Sequence, residues 1–300
     1  MVEEKAKVVK LDKEKKMVDP VEASIDIATQ EMIVRSQKLG IETIFDRALS
    51  MKPCNIGIQG TCCKNCAMGP CRLPLPKGGI EGEDERKGLC GATANTIAAR
   101  NFARMVAAGA AAHSDHGRAV AEVFLSAARK ETDAYQIKDT VKLVAVAKEL
   151  GVATTVEVDG EVLDRDLDEV AVEVGETALN EWGKPEGELL YLKRAPKARY
   201  EIWKKQGVLP RNIDREIVEI MHRTHMGVDQ DYKNLVKQCT RAALADGWGG
   251  SMLATDLQDI LFGTPSPLQS EANLGIMKKD HVNIIVHGHE PVLSEMIVAV

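Results

Sequence analysis

Apolar positions recur at helical spacing over most of the chain. The first such stretch covers residues 20–39 and stops at Gly40, and a short second helix is predicted for 42–51. The Ala-rich stretch that follows residue 90 predicts two helices with a break near Gly109 or Ser114. Further helices are predicted over 138–150, 167–183, 195–206, 212–225, 231–246 and 254–262.

The two ends of the chain depart from this pattern. Residues 1–18 are charged and aperiodic, so we expect a mobile extension. Near the other end, HVNIIVHGH predicts a buried strand, and PVLSEMIVAV predicts the opening of a helix that lacks an ending signal. Because a strand needs neighbours, we expect the chain to be cut at its C-terminus, within a sheet domain. The predicted fold is an α-rich N-terminal domain (19–250) with a cysteine-rich cluster loop (54–90), followed by the start of a Rossmann-like α/β domain (251–300).

Composition and charge narrow the functional class. A chain of 300 residues with 44% hydrophobic residues can bury a substantial core. The net charge of −6, without a basic stripe, argues against nucleic acid or anionic lipid as a partner. No run approaches the roughly 20 apolar residues of a membrane span, and the N-terminus lacks the apolar core of a signal peptide. We therefore expect a cytoplasmic protein.

Cysteines supply the candidate chemistry. Six of the seven fall between residues 54 and 90, in a segment rich in Gly and Pro and without periodicity of its own. In a reducing compartment such a group indicates metal binding or redox chemistry before disulfides. The seventh, Cys239, lies in a helical pattern and is predicted to be an inert buried thiol.

Four of these cysteines have the spacing of a metal site. Cys63, Cys66, Cys71 and Cys90 form C-x2-C-x4-C-x18-C. Their thiolates suit one tetrahedral zinc ion or one iron–sulfur cluster, and a disulfide or free thiols are further alternatives. The absence of a second C-x2-C pair favours the iron–sulfur cluster.

Cys54 and Cys62 are then left over, with seven residues between them. Two thiols are half of a four-ligand site, and a two-fold axis between identical subunits would supply the other half. A disulfide or two unrelated thiols is the alternative.

Six motifs in order carry a family resemblance: IGIQGTCCKNCAMGPCR, GLCGATANTIAARN, AAGAAAHSDH, EIMHRTHMGVD, TDLQDILFGTP and VHGHEPVLSEMI. Over most of residues 20–300 the chain resembles the N-terminal part of the nickel-dependent anaerobic carbon monoxide dehydrogenase catalytic subunit. The resemblance implies that the C-x2-C-x4-C-x18-C cysteines hold a [4Fe-4S] cluster within one subunit. It also implies that Cys54 and Cys62 supply half of a [4Fe-4S] cluster that bridges a homodimer.

Two histidines follow the predicted strand near the end of the chain, where an open α/β sheet binds its ligands. On sequence alone, His287 and His289 suit backbone hydrogen bonds as well as a metal. The resemblance implies that His289 ligates iron in a nickel–iron–sulfur centre. The remaining ligands of that centre are cysteines from the family's C-terminal half, which these 300 residues lack. We therefore expect that this chain alone cannot complete the centre.

A second histidine pair lies in the Ala-rich segment. His113 and His116 are three residues apart on one helix face, where ordinary polar contacts are the alternative to function. The resemblance implies that His113 is an acid–base partner near the active centre, with histidines at successive turns conducting protons. Here Ala119 and Glu122 occupy the next two turns, so a path through His113, His116 and Glu122 needs water at Ala119. Asp246 resembles a family aspartate near the active site.

The function that the resemblance implies is reversible oxidation of carbon monoxide with water to carbon dioxide. Two protons and two electrons are released, and the electrons pass through the clusters to a ferredoxin-type acceptor. The family also implies either a stand-alone homodimer or a complex with an acetyl-CoA synthase subunit. Two other functions stay open: an iron–sulfur electron-transfer module without catalysis, and a related hybrid-cluster enzyme that reduces hydroxylamine. The VHGHEP and FGTP segments and the Cys54/Cys62 pair favour the first function.

Overall fold

The computed structural model describes residues 17–51, 53–266, 280–282, 284–286, 293–294 and 296–297. The chain divides into two compact units, Met1–Ile58 and Gln59–Val300. Within the described residues the structure is mainly helical, with two short antiparallel strand pairs. The prediction of an α-rich fold with a cysteine-rich loop is confirmed.

The described residues of the first unit form four short helices. The sequence predicts one helix over 20–39, but the structure has two, separated at Ser24. The reason is local: the Asp26 carboxylate accepts a hydrogen bond from the Thr29 backbone N–H at 2.7 Å and so starts a new helix. The helices are α1 (Pro20–Ala23), α2 (Ile27–Lys38), α3 (Ile44–Ser50) and α4 (Asn55–Ile58).

The second unit begins with the cysteine-rich loop and continues as a helical bundle. A 3-10 turn at Leu190–Arg194 precedes α8, and a π-helical turn at Asp246–Ser251 joins α10 to α11. The elements are β1 (Cys62–Cys63), β2 (Cys71–Arg72), α5 (Ala94–Ala128), α6 (Thr140–Leu150), β3 (Thr155–Val158), β4 (Glu161–Asp164), α7 (Leu167–Gly183), α8 (Lys197–Gln206), α9 (Ile213–Arg223), α10 (Tyr232–Ala245) and α11 (Met252–Phe262).

Helix α5 is continuous over 35 residues, so the predicted break near Gly109 or Ser114 is wrong. No described atom lies within 4 Å of a Cβ added at Gly109, and a glycine there weakens the helix by about 1 kcal/mol relative to alanine without ending it. The Ser114 hydroxyl donates to Asp214 at 2.8 Å, so it does not compete for the backbone of its own helix.

The core of the second unit is built around α5, against which α7, α9, α10 and α11 pack. Phe124, Trp182 and Leu257 are fully buried there. A Cβ added at Gly117 would lie 2.6 Å from the Trp182 ring, so a glycine lets α7 approach α5 closely. In the described part of the chain, no helix has the length and apolar character needed to cross a membrane.

The exposed hairpin of β3 and β4 was predicted only in part. The turn expected in VDGEV is present, with positive φ at Asp159 (52°) and Gly160 (85°). The flanking strands were missed although Val156 and Val158 alternate with polar residues before the turn, because each strand has only four residues and all eight are exposed.

The end of the chain departs from its prediction at the described positions. Helix α11 packs in the same core as α5, so the helical unit extends at least to Phe262, past the predicted boundary at 250. Of the predicted strand 281–289, the described residues 281, 282 and 284–286 form no strand, and Val282 and Ile284 are exposed. A strand without a neighbour has nothing to pair with. The Rossmann-like domain stays a prediction.

Candidate metal centre

Four cysteines surround one cavity of about 90 Å³. Cys63 on β1 lies opposite Cys71 on β2 in an antiparallel register, and Cys66 lies in the turn between the two strands. An isolated bridge between Lys87 and Thr93 closes the loop that carries Cys90. The structure therefore brings together the four thiols that the sequence spacing groups.

Zinc and an iron–sulfur cluster need different arrangements of their sulfur ligands. Among the described residues, no group of three or more His, Cys, Asp or Glu side chains is placed to bind one metal ion. A tetrahedral zinc ion with Zn–S bonds of about 2.3 Å needs sulfur atoms about 3.8 Å apart. In a cubane iron–sulfur cluster each thiolate ligates a different iron, so the four sulfur atoms stand around a larger body. Four thiols around one cavity suit such a cluster.

Two buried donors at this cavity lack partners among the described residues. Asn65 and Arg100 both line the cavity, and in the described part of the chain neither Nδ2 of Asn65 nor Nε of Arg100 has an acceptor. A buried donor left unpaired costs about 1–3 kcal/mol, so an acceptor is expected there. The sulfur atoms of an anionic cluster are acceptors of this kind. The donor set thus fits an iron–sulfur cluster.

The surroundings of Cys90 favour its thiolate form. Burial raises the pKa of its thiol. The backbone N–H groups of Ala92 and Gly227 and the Arg100 guanidinium lower the pKa by more than burial raises it, so the net pKa is below the usual range. Nη1 of Arg100 lies 3.7 Å from the Cys90 sulfur. The thiolate is the form that binds metals.

Helix α5 also holds the loop that carries Cys62. Nδ2 of Asn101 donates to the carbonyl oxygens of Gly60 at 2.8 Å and Cys62 at 3.1 Å. Cys62 is half-buried on β1, and Cys54 is exposed just before α4 in the first unit. Sequence reasoning missed Asn101 and Arg100 as site residues, although both lie in the IAARN part of a quoted motif.

The structure brings a second pair of candidates together. Nδ1 of His113 on α5 lies 2.7 Å from Oδ1 of Asp246, which opens the π-helical turn 246–251. A Cβ on Gly250 would lie 3.7 Å from the Cβ of His113, so this turn approaches α5 closely. The side chains of His113 and Asp246 are 52% and 25% exposed, which leaves the imidazole open to a ligand.

The other candidates are less closely grouped. His116 is partly buried on α5, one turn beyond His113. Glu122 is exposed and lies nine residues from His113, which is two and a half turns and therefore the opposite side of the helix. His289 lies outside the described residues. Cys239 is buried in α10, where burial raises the pKa of its thiol, as expected for an inert core cysteine.

Comparison with known proteins places these features in context. The model of the Prismane/CO dehydrogenase family matches residues 61–300. "Carbon monoxide dehydrogenase 1" of Methanosarcina acetivorans is 50% identical over 279 residues, which cover 92% of this chain and 42% of that protein. "Carbon monoxide dehydrogenase 2" of Carboxydothermus hydrogenoformans is 42% identical over 280 residues, with the same two coverages of 92% and 42%.

A solved structure is similar over the same part of the chain. The nickel-free crystal structure of carbon monoxide dehydrogenase from Thermococcus sp. AM4 superposes with a TM-score of 0.83 at 48% identity, and the match covers 95% of this chain and 43% of that one. The present chain thus spans less than half the length of the relatives that it matches.

Proposed function

Because the chain belongs to the Prismane/CO dehydrogenase family, we propose that it is the cluster-binding part of an oxidoreductase for carbon monoxide. The reaction is the reversible oxidation of carbon monoxide with water to carbon dioxide, with release of two protons and two electrons. The observation that carries the proposal is the cavity lined by four thiols and two unpaired buried donors. The identity of 50% to a protein named carbon monoxide dehydrogenase supports this reaction over the other reactions in the family.

The four cysteines at the cavity would hold a [4Fe-4S] cluster, which supplies one-electron transfer at low potential when bound. Cys54 and Cys62 would supply half of a [4Fe-4S] cluster shared across a homodimer. His289 would ligate iron in a nickel–iron–sulfur centre whose other protein ligands come from outside these 300 residues. Each of these assignments is part of the proposal.

His113 and Asp246 would manage protons. The Asp246 carboxylate accepts a hydrogen bond from Nδ1 of the imidazole at 2.7 Å, which orients the ring and leaves Nε2 to take up and release a proton. His116 and Glu122 would continue the path along α5, with water beside Ala119. Because Glu122 lies on the opposite side of the helix from His113, such a path must wind around α5.

The proposed partners follow from the reaction. Electrons would leave to a ferredoxin-type acceptor, since both clusters are of the low-potential thiolate type. Association with an acetyl-CoA synthase subunit and a cytoplasmic location complete the proposal.

The test is carbon monoxide-dependent reduction of a viologen dye by the anaerobically purified protein with its clusters, in a form that also contains the residues supplying the other ligands of the nickel–iron–sulfur centre. We expect activity in the unmodified protein, its loss in Cys63→Ala, and its retention in Cys239→Ala, which removes a buried thiol that does not line the cavity. Oxidation of the reduced dye by hydroxylamine, without any reduction of the dye by carbon monoxide, would identify a hybrid-cluster enzyme instead. A cluster spectrum without either activity would identify an electron-transfer module.

A further inference from the structure

Arg100 is a buried cation beside the candidate cluster site. The side chain is on the second turn of α5, only 1% exposed, and it lines the cavity formed by the four cysteines. Its Nη1 lies 3.7 Å from the Cys90 sulfur, and its Nε has no acceptor among the residues that the structure describes. Of its three nitrogen atoms, one therefore contacts sulfur and a second has no described partner.

The guanidinium also lacks a carboxylate. Its Nη2 donates to the backbone carbonyl of Asp229 at 2.7 Å, which carries no full charge. The carboxylate of Asp229 is instead held by Arg223, at 3.0 and 3.1 Å. Among the residues that the structure describes, no acidic side chain forms an ion pair with Arg100. A buried charge without a carboxylate partner is strongly unfavourable, so the negative charge that balances Arg100 must come from the cavity, through the Cys90 thiolate or a cluster bound to it.

We propose that Arg100 raises the reduction potential of the cluster bound by Cys63, Cys66, Cys71 and Cys90. This inference rests on the proposed function, because it requires the cluster. Four thiolates and the inorganic sulfides make such a cluster anionic, and one-electron reduction adds a further negative charge. A fixed positive charge in a buried site stabilises the reduced form more than the oxidised form. The N–H contact to a ligating sulfur acts in the same direction.

Arg100 is a positioning and tuning residue rather than a catalytic one, since it touches a ligand and not the substrate. A merely structural role would consist of holding the Asp229 carbonyl. Loss of that hydrogen bond would change the stability of the loop between α9 and α10 but not the potential of an intact cluster. The potential therefore separates the two roles.

The experiment compares Arg100→Gln, Arg100→Lys and a matched control in anaerobically purified protein carrying its clusters. The control is Arg104→Gln, one turn further along α5, where Nε donates to the Thr224 hydroxyl at 3.0 Å and the side chain does not line the cavity. Iron and acid-labile sulfide are measured first. A redox titration followed by electron paramagnetic resonance then gives the midpoint potential of the signal that Cys66→Ala abolishes.

We expect the Arg100→Gln protein to keep its iron and sulfide. Its midpoint potential should fall by at least about 59 mV, which corresponds to a tenfold change in the one-electron equilibrium constant. Arg100→Lys retains the charge and should shift by less than half as much, and Arg104→Gln should not shift. An unchanged potential in a loaded Arg100→Gln protein would overturn the inference. Loss of the cluster from both Arg100 variants would also overturn the inference. Lysine retains the positive charge, so such a result would mean that Arg100 holds the cluster in place by its shape rather than tuning its potential by its charge. A protein without iron and sulfide before any substitution would instead refute the proposed function itself.

Discussion

Two glycines in α5 offer a matched test of how this helix is built. Gly109 and Gly117 lie eight residues apart in one continuous helix, and replacing either by alanine brings the same gain in helix propensity, about 1 kcal/mol. Their surroundings differ. No described atom lies within 4 Å of a Cβ at Gly109, whereas a Cβ at Gly117 would meet three atoms of the Trp182 ring at 2.6, 2.8 and 2.9 Å.

The difference between the two variants isolates the cost of this clash, because the propensity gain cancels. Carbon atoms pack favourably at about 3.5–4.0 Å, so the ring must move by close to 1 Å. Trp182 is fully buried, and inserting a methyl group into a packed core costs about 1–3 kcal/mol. We expect Gly109→Ala to stabilise the protein by about 1 kcal/mol, and Gly117→Ala to be about 1–3 kcal/mol less stable than Gly109→Ala.

The assay is urea unfolding followed by far-ultraviolet circular dichroism, with the free energy of unfolding compared between variants. Gly117→Ala in a Trp182→Leu background is the control, since the smaller side chain leaves room for the methyl group and the substitution should then cost less. Equal stability of the two alanine variants would refute the close approach of α7 to α5. A destabilising Gly109→Ala would refute the continuity of α5. This continuous helix sets the separation of Arg100 and His113, which is about 20 Å along its axis at 1.5 Å per residue.

Three further predictions concern the site and its support. Asn101→Leu removes both hydrogen bonds to the loop carbonyls and should lower the free energy of unfolding by about 2 kcal/mol in the same urea assay, while no change would mean that α5 does not hold the loop. Asp246→Asn leaves the His113 imidazole without its carboxylate partner, so carbon monoxide-dependent dye reduction should fall by roughly 10²-fold while the iron content is unchanged. Undiminished turnover would contradict the proposed proton transfer by His113. Burial raises the pKa of Glu219. Hydrogen bonding from Arg211 and the surrounding arginine charges lower this pKa by more than burial raises it, so the net pKa is below its usual range. This carboxylate therefore stabilises the fold above the ordinary carboxyl pKa of about 4.3, and that stability is lost as the pH falls through the lower folded value. Thermal unfolding should show Glu219→Gln less stable than the unmodified protein at pH 7, with the gap closing on acidification, and a gap that persists at low pH would exclude the charge as its cause.

The helical part of the fold follows from local patterns, which is why most helices were predicted close to their observed bounds. For example, the periodicity over 167–183 predicts α7 with the limits that the structure shows. The same local reasoning fails where tertiary contacts decide. Gly109 and Ser114 suggest a break in α5, but packing of four other helices on α5 keeps it continuous. The strands β3 and β4 are short and exposed, so they pack on no core, and the brief alternation of Val156 and Val158 with polar residues was not taken as a strand.

The candidate site was predictable to the extent that its residues are close in sequence. The spacing of the cavity cysteines groups them, and the structure places them around one cavity. The contact of His113 with Asp246 joins residues 133 positions apart, and no local pattern indicates it. Arg100 was missed for a different reason. An arginine in a helical motif is usually solvated, and only its burial beside the Cys90 sulfur shows that it belongs to the site.

The central claim is that the four-cysteine cavity holds an iron–sulfur cluster. It is tested most directly by measuring iron, acid-labile sulfide and zinc in anaerobically purified protein, before and after Cys54→Ala and Cys62→Ala are introduced together to remove the other candidate site. We predict that the double variant retains about four iron atoms and about four sulfides per chain at the cavity. About one zinc per chain without sulfide would contradict the account, and with it the proposed oxidation of carbon monoxide.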